Sequence, residues 1–212
     1  TDRAIEFIVS SNSEKKPFYL QISHYAVHSN IESKEESYTR IKEKTKGAQQ
    51  KNPGFAAMTF DLDEGLGILL KKIKELGIED NTYIIYMSDN GSVPNIPGAK
   101  KYEKSYNYPL SRGKWDALEG GVRVPLIIAG PGIKNGSESA IPVSGVDLLP
   151  TLMDLAGNKK IILTEIDGGS FASILLNKNN EQIRRAVDGI FFHVPYKNGI
   201  ALKRPHSAVR KG

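Results

Sequence analysis

The chain has 212 residues, of which 39% are hydrophobic and 25% are charged, so it can form one large domain, or one and a half ordinary ones, around a substantial core. It has no cysteine, which excludes disulfides, zinc–thiolate sites and a cysteine nucleophile within these residues. The formal net charge of +5 comes from scattered Lys and Arg residues, which form either a solvated surface or a field that attracts anionic substrates.

The first predicted elements are a short strand, a charged segment and a long helix. Residues 18–23, FYLQIS, are rich in apolar and β-prone side chains and predict a strand. The segment 32–51 is rich in Lys, Glu and Gln and predicts a surface excursion that is helical in part. From Phe55 to Leu76 the apolar residues recur with helical spacing, and Gly77 follows as a C-cap, which predicts an amphipathic helix.

Two glycines, Gly65 and Gly67, lie inside this predicted helix. Each costs the helix about 1 kcal/mol relative to alanine. A helix that retains both is expected to pack its backbone closely against a neighbour, and we predict that this neighbour is a sheet.

Two buried strands are predicted next, at residues 82–87 and 124–130. The loop between them is rich in Pro, Gly, Lys and Tyr, and a long loop in a compact domain is often functional. Asp147 is a predicted helix N-cap. The remaining predicted elements are a helix at 147–156, a short helix at 170–176, a strand at 189–194 and a hairpin arm at 199–212.

The order of these elements predicts an α/β fold. Strands and helices alternate through about residue 157, which is typical of a mostly parallel sheet flanked by helices. The rest of the sequence has the pattern of a smaller α+β appendage. We therefore expect residues 1–160 to belong to the main α/β domain and residues 161–212 to form a small C-terminal α+β subdomain.

Asp89 and Asn90 directly follow the strand at 82–87. In open α/β sheets, ligands bind beyond the carboxyl ends of the strands. An adjacent carboxylate and amide offer hard oxygen atoms, which suit Ca²⁺ or Mg²⁺ better than a soft metal. Because Asp-Asn-Gly is also a common turn sequence, the pair predicts either a metal site or a plain turn.

Two more groups of polar residues stand beside predicted strands. His24 and His28, in SHYAVHS, follow the strand at 18–23, where a histidine can donate to an anionic oxygen or protonate a leaving group. Lys114 precedes the strand at 124–130, in RGKWDALEGGVRVP. Taken one at a time, the histidines are equally consistent with ordinary loop residues and the lysine with solvated surface.

Taken together, these motifs resemble those of the sulfatases of the alkaline-phosphatase superfamily. The shared pattern is SHxxxH after a strand, then SDNG, then GKxxxxEGGxRxP. Further matches are IEDNTYIIYMSDNG, VPLIIAGPG, VDLLPTLMDLAG, DGGSFASILL and SAVRKG. The resemblance extends over nearly the whole chain and implies an alkaline-phosphatase-like fold.

The resemblance implies a role for each matching residue. Asp89 and Asn90 correspond to ligands of an active-site Ca²⁺. Lys114 corresponds to the lysine that holds the substrate's sulfate. His28 corresponds to a histidine that faces both the sulfate and the leaving oxygen. Lys114 and His28 are therefore the candidate catalytic and substrate-binding residues.

Other residues are expected to support this site. His24 is expected to orient its loop, and Glu119 and Arg123 to form a supporting shell. The segment around His193 and His206 is expected to border the pocket. The long loop suits a sulfated sugar, or is simply a variable surface loop; its aromatic and cationic residues are Lys100, Lys101, Tyr102, Tyr106, Tyr108 and Arg112.

The chain departs from the family pattern in what it lacks. Sulfatases carry a Cys/Ser-x-Pro/Ala-x-Arg motif whose Cys or Ser is oxidised to formylglycine, and the hydrate of that residue attacks the sulfur. This motif is absent here, as are the early aspartates that complete the calcium site and an intervening lysine and histidine. We therefore expect the chain to be the C-terminal portion of a larger sulfatase, inactive by itself.

The expected function of the whole protein is hydrolysis of sulfate esters, with a sulfated carbohydrate as substrate. Two alternatives remain open: a phosphodiester or phosphonate hydrolase of the same superfamily, and a non-catalytic module that binds sulfated glycans through Lys114. Neither nucleic acid nor a membrane span is expected, because the chain has no basic–aromatic motif and no apolar run near roughly 20 residues. The start lacks a signal-peptide pattern, and the resemblance implies a periplasmic or secreted location.

Overall fold

The computed structural model describes residues 1–48, 51–93, 107–158, 165–178, 182–197 and 205–211. Among these, residues up to Thr82 form one compact unit and residues from Tyr83 onwards form a second. The described residues combine helices with short strands, which confirms the α/β class. Within the described ranges, every helix is too short or too polar to cross a membrane.

Three helices build the first unit. They include the helix predicted at 55–76 and a short helix inside the charged segment, as expected. The third, at the start of the chain, was not among the predicted elements, because its apolar residues Phe7, Ile8 and Val9 are consecutive and obscure the helical period. The helices are α1 (Asp2–Ser13), α2 (Glu35–Lys42) and α3 (Pro53–Glu75).

Helix α3 begins and ends where its sequence signals place it. Asn52 caps the first turn, and its side-chain oxygen accepts a hydrogen bond from the Phe55 N–H at 3.0 Å. Gly77 follows the helix with a φ of +66°, and its N–H donates to the Lys74 carbonyl at 2.9 Å. This left-handed glycine satisfies a terminal carbonyl, which confirms the predicted C-terminal stop.

Within the described residues, no strand lies against the glycines inside α3. A Cβ at Gly65 would lie 3.0 Å from the Thr1 hydroxyl, so its close neighbour is the residue that precedes α1. A Cβ at Gly67 would have no described atom within 4 Å. The predicted packing of the α3 backbone on a sheet is therefore wrong for Gly65, and nothing in the described residues explains Gly67.

Residues 18–23 do not form the predicted strand. Phe18 and Leu20 alternate inwards and pack against the buried core formed by Ala4, Ile8 and Leu69. Tyr19, between them, is 66% exposed. The side chains thus follow a strand-like alternation, but within the described residues the backbone has no neighbouring strand with which to form a ladder.

The second unit contains both strands predicted around the long loop, β1 (Ile84–Met87) and β2 (Leu126–Ala129). They pair antiparallel, with Ile84 opposite Ala129 and Met87 opposite Leu126. The parallel pairing expected from the sequence is not found in the described residues. Parallel neighbours need a crossover, usually a helix of several turns, and the described part of this connection contains only the four-residue helix α4 (Glu119–Val122).

The later predicted elements are confirmed. Two helices and an antiparallel hairpin follow in the second unit, with Ile190 opposite Arg210. The predicted domain boundary near residue 160 lies outside the described residues and stays a prediction. The elements are α5 (Leu148–Leu155), α6 (Ala172–Leu175), β3 (Ile190–Val194) and β4 (His206–Arg210).

Asp147 precedes α5, as predicted for an N-cap, but its carboxylate is fully buried and does not cap α5. It accepts hydrogen bonds from the N–H groups of Ser144 at 2.7 Å and Gly169 at 2.9 Å. The Arg185 guanidinium binds both carboxylate oxygens, at 2.8 and 2.7 Å. A bidentate pair of this kind fixes relative geometry strongly, so Asp147 joins three separate segments of the second unit.

Candidate active site

The antiparallel pairing brings the exit of β1 against the entry of β2. The Ser88 N–H points to the Pro125 carbonyl at 3.4 Å, and the Gly91 N–H donates to the Gly121 carbonyl at 2.9 Å. The Asp-Asn-Gly turn therefore packs on the Glu-Gly-Gly segment that follows Lys114 in the sequence. The two motifs meet because β2 runs back alongside β1, not because the carboxyl ends of parallel strands share an edge.

Three glycines allow this contact. A Cβ at Gly91 would lie 1.8 Å from the Gly120 carbonyl oxygen. A Cβ at Gly120 would lie 2.4 Å from the Arg112 carbonyl oxygen, and one at Gly121 would lie 2.1 Å from that of Asp116. These distances are far below van der Waals contact and the obstructing atoms are backbone, so each position requires glycine.

Asp89 and Asn90 lie at the tip of β1, the first exposed and the second half-buried. The Ser88 hydroxyl donates to the Asn90 carbonyl at 2.9 Å, and the Asn90 amide group donates to the Gly91 carbonyl at 3.1 Å. The Asn90 side-chain oxygen and the Asp89 carboxylate are hard donors of the kind that Ca²⁺ prefers. They fit such a cation chemically as part of its ligand set.

The described residues do not complete that set. Ca²⁺ takes about six to eight oxygen ligands. In the part of the chain that the structure describes, no group of three or more His, Asp or Glu residues is placed to hold a metal ion. Asp89 therefore does not belong to a group of three such residues within the described ranges.

Lys114 is held beside this turn by its backbone. Its N–H donates to the Ser92 carbonyl at 3.0 Å, just past the Asp-Asn-Gly sequence. Asn107 reinforces the contact, because its amide group donates to the carbonyls of Ser92 at 2.8 Å and Arg112 at 3.0 Å. The Lys114 ammonium lies 5.6 Å from the centroid of the Trp115 ring, within cation–π range.

Asp116 was not singled out from the sequence, although it is one of the few buried charged residues that the structure describes. Its carboxylate accepts from the Arg112 Nε at 2.7 Å and from the Leu118 N–H at 3.1 Å. These contacts close residues 112–118 into a compact loop around Lys114, hereafter the lysine loop. The only sequence signal was an aspartate within a run of small and apolar residues.

The two residues predicted as a supporting shell are exposed. The Glu119 carboxylate contacts the Arg123 guanidinium at 3.4 Å and the Arg210 guanidinium at 3.1 Å. Two half-exposed arginines thus share one carboxylate and leave this edge of the unit positively charged. Of the residues predicted to favour a sulfated sugar, Tyr108 and Arg112 are described, and the other four lie outside the described residues.

His24 and His28 belong to the first unit, whereas Asp89, Asn90 and Lys114 belong to the second. His28 Nδ1 lies 2.8 Å from the Ser29 carbonyl, and its ring is tilted against Tyr25. Partial desolvation lowers the pKa of His24 below 6.5. The convergence of His28 with the other candidate residues stays a prediction.

Comparisons with known proteins bear on the assignment. The sequence model of the Sulfatase family matches residues 1–158. A "Sulfatase" of Formosa agariphila is 30% identical over an alignment of 207 positions, which covers 92% of this chain and 36% of that protein. The solved structure of Ps i-CgsB in complex with k-i-k-neocarrahexaose is similar with a TM-score of 0.77 and 28% identity. That similarity covers 99% of this chain and 43% of the other.

A third protein was solved in complex with its substrate, D-glucosamine-2-N,6-O-disulfate. Its structure is similar with a TM-score of 0.56 and 26% identity, over 75% of this chain and 29% of the other. The chain thus spans less than half the length of each of these three relatives.

Proposed function

The chain belongs to the sulfatase family, and on that premise we propose that the whole protein hydrolyses sulfate esters of carbohydrates. One observation carries the proposal. The Asp-Asn-Gly turn is bonded to the Glu-Gly-Gly segment through Gly91 and Gly121, and Ser92, directly after the turn, is bonded to the lysine loop through the Lys114 N–H. Hard oxygen donors and an ammonium group therefore stand on one hydrogen-bonded scaffold, which suits a tetrahedral anion.

The charge of the substrate explains why these residue types are useful. A sulfate ester is anionic, and further negative charge develops on the bridging oxygen as the S–O bond breaks. The Lys114 ammonium stabilises this charge where water is largely excluded. In our proposal His28 donates a proton to the departing oxygen, which completes the alcohol product.

We propose that Asp89 and Asn90 would hold a Ca²⁺ ion together with ligands from outside the described residues. Such an ion supplies positive charge that neutralises sulfate oxygens. The nucleophile, a formylglycine in our proposal, also lies outside these residues. What this chain contributes is a lysine, a histidine and part of a cation site.

The substrate class is proposed from two kinds of support. One relative was solved with a sulfated glucosamine as its substrate. In this chain, Tyr108 precedes the lysine loop and Arg112 is its first residue, and an aromatic face with a guanidinium suits a sugar that carries anionic groups. We also propose an exported location, in keeping with the family resemblance.

The test is an assay of the whole protein, matured and supplied with calcium. We expect it to release sulfate from an aryl sulfate or from a sulfated saccharide, and to lose this activity with a chelator. A bis-aryl phosphate serves as the competing substrate. Cleavage of that phosphodiester without cleavage of any sulfate ester would contradict the proposal.

The Asp89→Ala variant tests the proposed ligand. We expect calcium affinity and turnover to fall together, because the carboxylate is the charged member of the Asp89 and Asn90 pair. Asp80→Ala is the matched control, since Asp80 is an exposed carboxylate in the short turn before β1. An Asp89→Ala protein with unchanged calcium dependence would refute the ligand assignment.

A further inference from the structure

We propose that His206, on the C-terminal strand β4, is a positioning residue that holds the lysine loop in its active geometry. The inference rests on the proposed function, because it assigns His206 a task in the same reaction. If the inference is correct, the hairpin of β3 and β4 contributes to the geometry of the active site. The sequence alone suggested only that the segment around His206 borders the pocket.

The central contact joins two residues that lie 89 positions apart. The Ala117 N–H donates to His206 Nε2 at 3.1 Å. The His206 side chain is 14% exposed, so the bond is sheltered from water. Because Nε2 accepts this hydrogen bond, the ring proton of His206 is on Nδ1 in this arrangement.

The same imidazole approaches the carboxylate that closes the lysine loop. His206 Nε2 lies 3.9 Å from Asp116 Oδ1, and the Asp116 side chain is completely buried. Asp116 in turn binds Arg112 and Leu118, which lie on either side of Lys114 in the sequence. A displacement of His206 therefore reaches the loop that carries Lys114 through its hydrogen bond with the Ala117 N–H.

The loop needs such external support. Arg112 and Trp115 have φ values of +66° and +71°, a region that residues other than glycine rarely adopt. Backbone conformations of this kind are strained and persist only where surrounding contacts enforce them. The hydrogen bond from Ala117 to His206 of β4 is one of these contacts.

One face of β4 is turned to the loop. Residues two and four apart in a strand share a face, so His206 and Arg210 lie on the same side. Arg210 binds Glu119 at 3.1 Å, but this pair is exposed and contributes little. His193 of β3 lies opposite Ser207 in the register and contacts its hydroxyl at 2.8 Å, on the other face of the hairpin. Because this face is turned away from the lysine loop, we expect His206 and not His193 to adjoin the site, and His193 is therefore a matched control.

The test compares variants of the whole protein on a sulfate ester. His206→Ala removes the acceptor, and His206→Leu removes it while keeping side-chain volume, so that a folded variant without the acceptor is obtained. We expect kcat/KM to fall at least about tenfold, mainly through kcat, since small misplacements of catalytic groups are costly. His206→Gln can still accept through its amide oxygen, and we expect it to stay within about threefold of wild type. His193→Ala should match wild type.

A double variant separates positioning from general stability. If His206 acts through Lys114, its replacement in a Lys114→Ala background should lower kcat/KM by less than about twofold, because residues that act as a unit are not additive. Amide exchange at Ala117 is the second readout, expected to accelerate in His206→Ala and not in His206→Gln. This readout does not depend on turnover.

Each adverse outcome has a distinct meaning. Suppose that the wild-type protein is active. The positioning role is overturned if His206→Ala has the same kcat/KM as His193→Ala, or if the losses of kcat/KM caused by the Lys114 and His206 substitutions multiply in the double variant. Neither result contradicts the proposed function. Unchanged exchange at Ala117 overturns the contact itself. A wild-type protein without sulfate-ester activity refutes the proposed function, and the positioning role with it.

Discussion

The lysine loop of the second unit and the histidine segment of the first, residues 23–30, are held in different ways. The lysine loop is fixed by interlocked glycines, by the buried Asp116 and by a bond to β4. In the histidine segment, the His28 N–H donates to the Tyr25 carbonyl at 2.9 Å, and the Tyr25 hydroxyl donates to the Ser29 carbonyl. These bonds are local, whereas the lysine loop has, besides the local bonds of Asp116, a bond to His206, 89 positions away.

This difference separates the expected consequences of substitution. Changes in the lysine loop should disturb folding and activity together, because its geometry depends on close packing. Changes in the histidine segment should disturb activity with little effect on folding. Four predictions, from the largest expected effect to the smallest, test that separation.

The largest effect is expected for Gly91→Ala. The new methyl group would lie 1.8 Å from the Gly120 carbonyl oxygen, so the turn and the loop cannot both keep their positions. We expect the free energy of unfolding to fall by at least about 3 kcal/mol and activity to be lost. The control is Gly67→Ala, with no described atom within 4 Å, which should stabilise α3 by about 0.5–1 kcal/mol. Denaturant unfolding measures both, and equal stability of the two variants would contradict the packing argument.

The next effect compares a carboxylate of the lysine loop with one that directly follows the loop. Asp116→Ala leaves the Arg112 guanidinium and the Leu118 N–H without their buried acceptor, and we expect a loss of about 3 kcal/mol. Glu119→Ala removes an exposed carboxylate and should cost no more than about 1 kcal/mol. Thermal unfolding at matched pH compares the two. A cost for Glu119→Ala equal to that for Asp116→Ala would show that burial does not set the difference.

For the histidine segment, His28→Ala should lower turnover without lowering stability. Loss of a general acid costs about 10²-fold or more in rate. The unfolding free energy should stay within about 0.5 kcal/mol of wild type, because His28 is exposed and its hydrogen bonds are local. Steady-state kinetics and denaturant unfolding on the same preparation provide the check. A lower free energy of unfolding for His28→Ala would contradict the prediction that substitutions in the histidine segment affect activity without affecting stability.

The smallest effect is a pH dependence from His24, whose pKa is lowered below 6.5 by partial desolvation. As pH falls through and below 6.5, the unfolded chain binds a proton that the folded chain resists, so stability declines towards acid pH. Because His24 is exposed, the decline should be slight. In His24→Gln, unfolding midpoints measured from pH 7.5 to about pH 5 should show a flatter profile. An identical profile would mean that His24 does not contribute.

Local features of the fold were predictable from the sequence. The period of apolar residues predicted α3, Asn52 and Gly77 mark its ends in the structure, and continuous apolar runs predicted β1 and β2. Residues 18–23 show the limit of such patterns. Their alternation is real, since Phe18 and Leu20 are turned to the core, but a strand also needs a hydrogen-bonding partner, and a partner is not a property of the segment itself.

The sequence by itself determined which chemical groups are available: the oxygen donors of Asp89 and Asn90, the ammonium of Lys114, the imidazoles, and the ordered motifs that indicated the family. Tertiary structure alone decided that β2 runs antiparallel to β1, that Asp147 binds Arg185, and that the Ala117 N–H meets His206. The physical reason is the separation along the sequence of the residues that interact. Helices and turns depend on residues within a few positions of one another, whereas a bond across 89 positions depends on the path of all the chain between them.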